Sequence, residues 1–165
     1  MQTRRGFLIS GSALALAMAL GLWRPQGLAG AAEGHFPVKL SEDEWRSRLS
    51  PEAFEVLRRE GTERAFTSPL NDEKRAGLFH CAGCDSALFS SDTKFESGTG
   101  WPSFWDFIGG AIGTSEDNSF GMLRVEVHCA NCGGHQGHVF EDGPPPTGLR
   151  YCINGVALGF TPATA

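Results

Sequence analysis

GMLRVEVHCANCGGHQGHVF, residues 121–140, carries the period and the punctuation of an antiparallel β protein. From Gly121 to His128, Leu123, Val125 and Val127 fall on one face and Met122, Arg124, Glu126 and His128 on the other. Period two predicts a strand. The run ends in Cys129-Ala130-Asn131-Cys132, and His138-Val139-Phe140 resumes as a short strand. A second thiol pair, Cys81-Ala82-Gly83-Cys84, follows another predicted strand, Gly77 to His80. Each C-x-x-C knuckle offers two thiolates from one turn. Gly83 and Asn131 are expected to take the left-handed backbone of these turns. Four thiolates fill a tetrahedral shell and leave no place for water, so Cys81, Cys84, Cys129 and Cys132 predict a structural Zn²⁺ site, one ion held by four cysteines. Two disulfides or a dithiol redox pair are the alternatives. A redox C-x-x-C belongs at a helix start in a βαβ unit, whereas both pairs here sit among strands.

Outward from this stretch, Ala87 to Phe89, Leu149 to Asn154 and Val156 to Phe160 read as further short strands, and Pro144-Pro145-Pro146 as a stiff loop. Asp117-Asn118 turns the chain into the 121–128 strand. Upstream the period is helical. Ser41-Glu42-Asp43-Glu44 has the form of a capping box, with Trp45 and Leu49 one turn apart. Ser50-Pro51 starts a second helix with Phe54, Val56 and Leu57 as its apolar stripe and Gly61 as its terminator. The fold class is mainly β (α+β): two short N-terminal helices, then an antiparallel β domain clamped by zinc.

Residues 1–32 of the 165 read as a twin-arginine export signal. Thr3-Arg4-Arg5-Gly6-Phe7-Leu8 is the charged start, Leu8 to Trp23 the apolar stretch, and Ala29-Gly30-Ala31 the small residues before a cut after Ala31 or Ala32. The apolar run is short for a membrane anchor. Removal in a bacterial periplasm is therefore expected, leaving residues 33–165 as one domain. The signal takes three arginines and no acid, which leaves 11 basic against 19 acidic residues and a net charge of −8. Nucleic acid and anionic membranes are poor partners for such a surface. Five cysteines in an exported protein leave at least one without an internal partner. A twin-arginine signal suits a chain that folds and takes up its metal before export.

The odd thiol is Cys152. In Arg150-Tyr151-Cys152-Ile153-Asn154, period two puts Arg150, Cys152 and Asn154 on one face and turns Tyr151 and Ile153 to the core. A guanidinium beside a thiol lowers its pKa, so Cys152 is expected to be reactive rather than mere packing. His135 and His138 are candidates for proton transfer, since the cysteines already complete a metal shell. Trp101, on a Gly-Pro bend, and Trp105 lie in an aromatic loop suited to walling an apolar pocket.

Cys81 to Cys84, SGTGWPSFW (97–105), CANCGGHQGHVF (129–140) and DGPPPTGLRYCIN (142–154) together resemble the methionine-R-sulfoxide reductase family, MsrB, over residues 41–160. The resemblance implies two small antiparallel sheets and zinc on the two knuckles. It implies Cys152 as nucleophile, Trp101 against the substrate methyl, His135, His138 and Asn154 around the sulfoxide oxygen, and Arg150 and Phe140 in the same site. The implied substrate is methionine-R-sulfoxide in proteins or peptides, and Cys152 passes through a sulfenic acid. Thr99 stands where many members carry a resolving cysteine. The expected reductant is therefore external, a thioredoxin-like protein or a small thiol, and the expected state is a monomer. Gln136 and Gly155 replace the usual aliphatic residue and serine. Two other readings are a partner-binding zinc module with Cys152 as packing, and an oxidoreductase using the knuckles as dithiols.

Overall fold

Two side-chain caps set where the chain enters the structure, a computed structural model that describes residues 34–164 apart from the side chain of Phe120. The export signal expected at residues 1–32 lies outside the described residues. Helix α1 (Glu42–Arg48) opens on the predicted capping box: the Ser41 hydroxyl accepts from the Glu44 N–H, and the Glu44 carboxylate accepts from the Ser41 N–H at 2.7 Å. Helix α2 (Pro51–Arg59) is capped by the Ser50 hydroxyl, with Pro51 at its first position, and buries Ala53, Phe54, Val56 and Leu57. Its end differs from the expectation. Glu60, not Gly61, takes the left-handed conformation (φ 54°), and the Gly61 N–H closes onto the Glu55 carbonyl at 2.9 Å. No helix among the described residues is long and apolar enough to cross a membrane.

Nine strands come next among the described residues, all paired antiparallel in two sheets. They are β1 (Gly77–Cys81), β2 (Ala87–Ser90), β3 (Lys94–Phe95), β4 (Ser103–Phe104), β5 (Ile112–Asp117), β6 (Arg124–Cys129), β7 (His135–Phe140), β8 (Arg150–Ile153) and β9 (Leu158–Pro162). The smaller sheet runs β2-β1-β9 and the larger β3-β4-β8-β7-β6-β5. Their apolar faces share one core. Phe79 of β1, Phe89 of β2 and Phe104 of β4 are fully buried, and the Phe89 and Phe104 rings stack at 4.4 Å. Tyr151 and Ile153 face this core as period two required. Helix α2 packs against β7 and against the 3-10 turn Gly155–Ala157.

Strand β6 departs from its pattern in an informative way. Of the predicted apolar face only Val127 is buried, while Leu123 is 73% and Val125 40% exposed. The polar face is the covered one: Glu126 and His128 are buried. The Glu126 carboxylate is held by Ser115 of β5 and His135 of β7, which offsets the penalty that usually keeps such a residue outside, and His128 Nδ1 lies 3.5 Å from Glu126 Oε2. Strand β5, IGTSED, has no apolar alternation and so carries no strand signal in the sequence, and β7 starts at His135 rather than His138.

Candidate active site and metal clamp

The larger sheet lines up one row of side chains. Ser115 of β5 lies opposite Glu126 of β6, Glu126 opposite His138 of β7, His138 opposite Cys152 of β8, and Cys152 opposite Ser103 of β4. Residues directly opposite in antiparallel strands share a face. The row thus gathers an acid, an imidazole and a thiol from three successive strands. A shift in register between Val127 and His128 lets His135 join the same cluster. The His135 and His138 rings meet edge to face at 5.3 Å.

Each histidine has its own carboxylate. His135 Nδ1 lies 2.8 Å from Glu126 Oε1, and the Ser115 hydroxyl donates to the other oxygen of Glu126. His138 Nε2 lies 2.7 Å from Asp117 Oδ2, which also accepts from Arg124 Nη2 at 2.6 Å. Burial would raise the pKa of both acids. Hydrogen bonds from His128, His135 and Ser115 to Glu126, and from Ser119 and His138 to Asp117, outweigh it and hold both well below the carboxylate range. Burial lowers the pKa of His138, against the pull of Asp117. Burial also raises the pKa of Glu60, helped by the charge of Glu126.

Cys152, Asn154, His138, Phe140, Trp101, Arg124, Thr62 and Gly137 line a cavity of about 120 Å³. His135 lies behind it, 1% exposed, with its Nε2 unpartnered. Arg150 is committed elsewhere: it donates to both oxygens of Asp142 at 2.8 and 2.9 Å and its guanidinium lies 4.5 Å over the Phe140 ring. Arg150 still acts on the thiol in the expected direction, but burial opposes it. Burial pushes the Cys152 pKa up, and the charge of Arg150 and a weak contact from Thr99 Oγ1 at 3.9 Å only partly offset it. The Cys152 thiol is half-buried. Asn154 is fixed by donating to the Gln136 carbonyl at 3.0 Å and accepting from the Glu63 N–H at 2.9 Å.

The four knuckle sulfurs lie within 4.8 Å of one another, with Cys81–Cys132 and Cys84–Cys129 at 3.6 Å. A disulfide needs about 2 Å, so these are four thiols. A tetrahedral ion with metal–sulfur bonds of about 2.3 Å sets its ligands about 3.8 Å apart. The set therefore fits one metal ion, clamping the end of β1 to the end of β6. The two turns share one geometry. The N–H of Asp85 returns to the Cys81 carbonyl and that of Gly133 to the Cys129 carbonyl, both at 2.9 Å. The left-handed residues are Asp85 (φ 59°) and Gly133 (φ 66°), one past each second cysteine, rather than the expected Gly83 and Asn131. This step lets the chain reverse and pair the next strand. Gln136, fully buried, donates its Nε2 to Cys81 Sγ at 3.4 Å.

The site residues expected from the sequence all fall in or beside these two clusters. Glu126, Asp117, Arg124 and Glu63 were missed. The signal for Glu126 was present as a Glu and a His sharing one face of an alternating strand just before a metal knuckle.

Fold, clamp and solitary thiol together define a SelR domain. The SelR domain model matches residues 49–162, and the chain belongs to that family. Among its relatives are proteins named peptide methionine sulfoxide reductase MsrB. That of Methanosarcina mazei is 58% identical over 125 residues, spanning 75% of this chain and 89% of its own. Those of Agrobacterium fabrum (54% over 126 residues, 76% and 93%) and Pseudomonas putida (59% over 121 residues, 73% and 91%) are similar to a like extent.

Proposed function

We propose that this chain is a peptide-methionine (R)-S-oxide reductase, a repair enzyme for oxidised proteins that works through Cys152 and carries zinc on its four knuckle cysteines. The observation that carries this reading is the small cavity in which a thiol, an imidazole, an amide and two aromatic rings converge. Trp101 and Phe140 give the substrate methyl an apolar wall, and His138 and Asn154 give the sulfoxide oxygen polar neighbours. One sulfoxide epimer satisfies both at once, which accounts for R selectivity.

Cys152 Sγ attacks the sulfoxide sulfur. Its proton passes through His138 to the sulfoxide oxygen, the S–O bond breaks as the hydroxide moves to Sγ, and the S–S bond formed in the attack breaks to leave Cys152 as a sulfenic acid. The substrate sulfur gains two electrons and leaves as the thioether, and Cys152 loses two. His135 beneath holds the ring of His138, and Glu126 and Asp117 orient the two imidazoles. Arg150, paired to Asp142, shapes the wall through Phe140.

Regeneration uses an outside thiol. Thr99 occupies the position nearest Cys152 from which a second cysteine would act, and the other four cysteines form the clamp. One external thiol displaces water from the sulfenic acid to give a mixed disulfide, and a second releases Cys152. A thioredoxin-like protein or a small thiol serves. Zinc is the ion that a closed shell of four thiolates favours, and its role is structural. Residues 1–32 direct the folded, metal-loaded monomer to the periplasm, where it acts on methionine-R-sulfoxide in proteins.

The test supplies separate R and S sulfoxide epimers of a blocked methionine with dithiothreitol. Wild type reduces R, and Cys152→Ser reduces neither. Turnover of S alone, or undiminished turnover by Cys152→Ser, overturns the reading.

A further inference from the structure

The segment from Gly61 to Ser68 belongs to no helix or strand, yet one of its residues touches three parts of the cavity. The Glu63 carbonyl accepts from Trp101 Nε1 at 3.1 Å. The Glu63 N–H donates to Asn154 Oδ1 at 2.9 Å. Its carboxylate accepts from the N–H groups of Gly155, through Oε1, and Val156, through Oε2 at 3.0 Å. Those two N–H groups open the 3-10 turn Gly155–Ala157, and no side chain from Asn154 caps them. Trp101, Cys152 and Asn154 all line the cavity, and the backbone just after Trp101 is joined to β8 by the Ile153 N–H donating to the Pro102 carbonyl at 3.0 Å. Among the described residues, Glu63 alone links the Trp101 indole N–H by hydrogen bonds to the β8 wall.

We infer that Glu63 is a positioning residue of this site: it ties the Trp101 indole ring to Asn154 and the turn after β8 and so sets the place of that ring in the cavity. The inference rests on the function proposed above. Position 155 supports it independently. A Cβ on Gly155 would run into the Ser68 hydroxyl and lie 3.2 Å from Glu63 Oε1. The strap 61–68 is therefore seated on β8's end because no side chain intervenes. An ionised carboxylate accepting two backbone N–H groups is also the strong form of such a bond. A neutral amide cannot reproduce it, because one of its two terminal atoms is a donor facing a donor.

Misplacing a reacting group by about 1 Å costs on the order of 10²-fold in rate. Glu63→Gln is expected to lower kcat/KM for the R sulfoxide by about that factor and Glu63→Ala by more. The rate of Cys152 alkylation by iodoacetamide and the zinc content should stay within about twofold of wild type, since neither depends on where the Trp101 ring sits. The Trp101 indole N–H resonance, assigned with Trp101→Phe, should shift and exchange faster with solvent in both Glu63 variants. This readout needs no turnover. If neither sulfoxide epimer is reduced by wild type while the indole signal responds, the proposed function fails and the strap stands. The inference is overturned if folded Glu63→Gln keeps kcat/KM within twofold of wild type. It is equally overturned if the indole signal does not move, or if alkylation changes in parallel with turnover, which would mark general loosening instead.

Discussion

The two knuckle hairpins are near copies in backbone and opposites in content. In both, a strand ends at the first cysteine, the chain turns through a C-x-x-C, one residue goes left-handed, and the next strand returns. The return bonds match in length: Cys81 N–H to the Ser86 carbonyl and Cys129 N–H to the Gly134 carbonyl are both 2.9 Å. The returning strands differ. β2 carries Leu88 and Phe89, both fully buried among aromatic rings. β7 carries His135 and Gln136, both buried, and the half-buried His138, set among acids and sulfur. One turning device thus delivers a core on one side of the metal and a reactive cluster on the other. Stability and chemistry should therefore separate cleanly by hairpin, except at the device itself.

The sharpest way to break the comparison is to remove the shared ion. Cys81→Ser and Cys129→Ser should both lose bound zinc and the cooperative melting transition, since structural zinc binding carries roughly 10 kcal/mol or more of folding free energy. Metal analysis and thermal unfolding check this. A normal transition in either variant would mean that the hairpins do not depend equally on the clamp. Next in size is the difference in content. His138→Ala should reduce kcat/KM about 10²- to 10⁴-fold with the melting temperature little changed. Leu88→Ala should cost about 2–5 kcal/mol in denaturant unfolding and spare turnover of the folded fraction.

A smaller effect concerns pH. The folded-state pKa of Glu126 is depressed below its ordinary 4.5, so its contribution to stability is present above that pH and is lost as pH falls further. Melting curves of wild type and Glu126→Gln should therefore converge below about pH 4.5 and diverge above it, with wild type the more stable. Divergence on the acid side would refute the pairing with His135. The smallest effect tests the turns. Gly133→Ala, which strains the left-handed backbone and presses on the Phe36 ring, should destabilise by about 1–3 kcal/mol. Asp85→Gly relieves the same strain in the other turn and should fall within about 1 kcal/mol of wild type, on the stabilising side. Equal shifts in the same direction would show that the two turns are not equivalent.

Local patterns were readable in the sequence because their causes are local. Ser41 with Glu44, Ser50 with Pro51, the paired cysteines, and the Tyr151/Ile153 face each need only neighbours along the chain. The motifs around Trp101, His135 and Cys152 were legible as a resemblance, and the fold places Trp101 and Cys152 on one cavity, with His135 directly behind it. The rest depends on partners across strands. Strand β5 has no apolar period because Ser115 and Asp117 serve Glu126 and His138 instead of a core. Leu123 and Val125 have the pattern of core residues and are exposed, because no described residue covers them on that face of β6. The thiol beside Arg150 has the pattern of an activated one, and Arg150 does lower its pKa, but burial, which depends on strands distant along the chain, pushes it the other way.

The row from Ser115 through Glu126, His138 and Cys152 to Ser103 runs at right angles to the chain, one residue from each of five strands. Side chains alternate faces, so a slip of one residue in any of these strands would send its member to the opposite surface. The sheet's hydrogen bonds and the reagent's alignment are thus the same set of bonds. A molecule that has closed its sheet in the wrong register is silent, and turnover becomes the protein's own report that its strands have been assembled in frame.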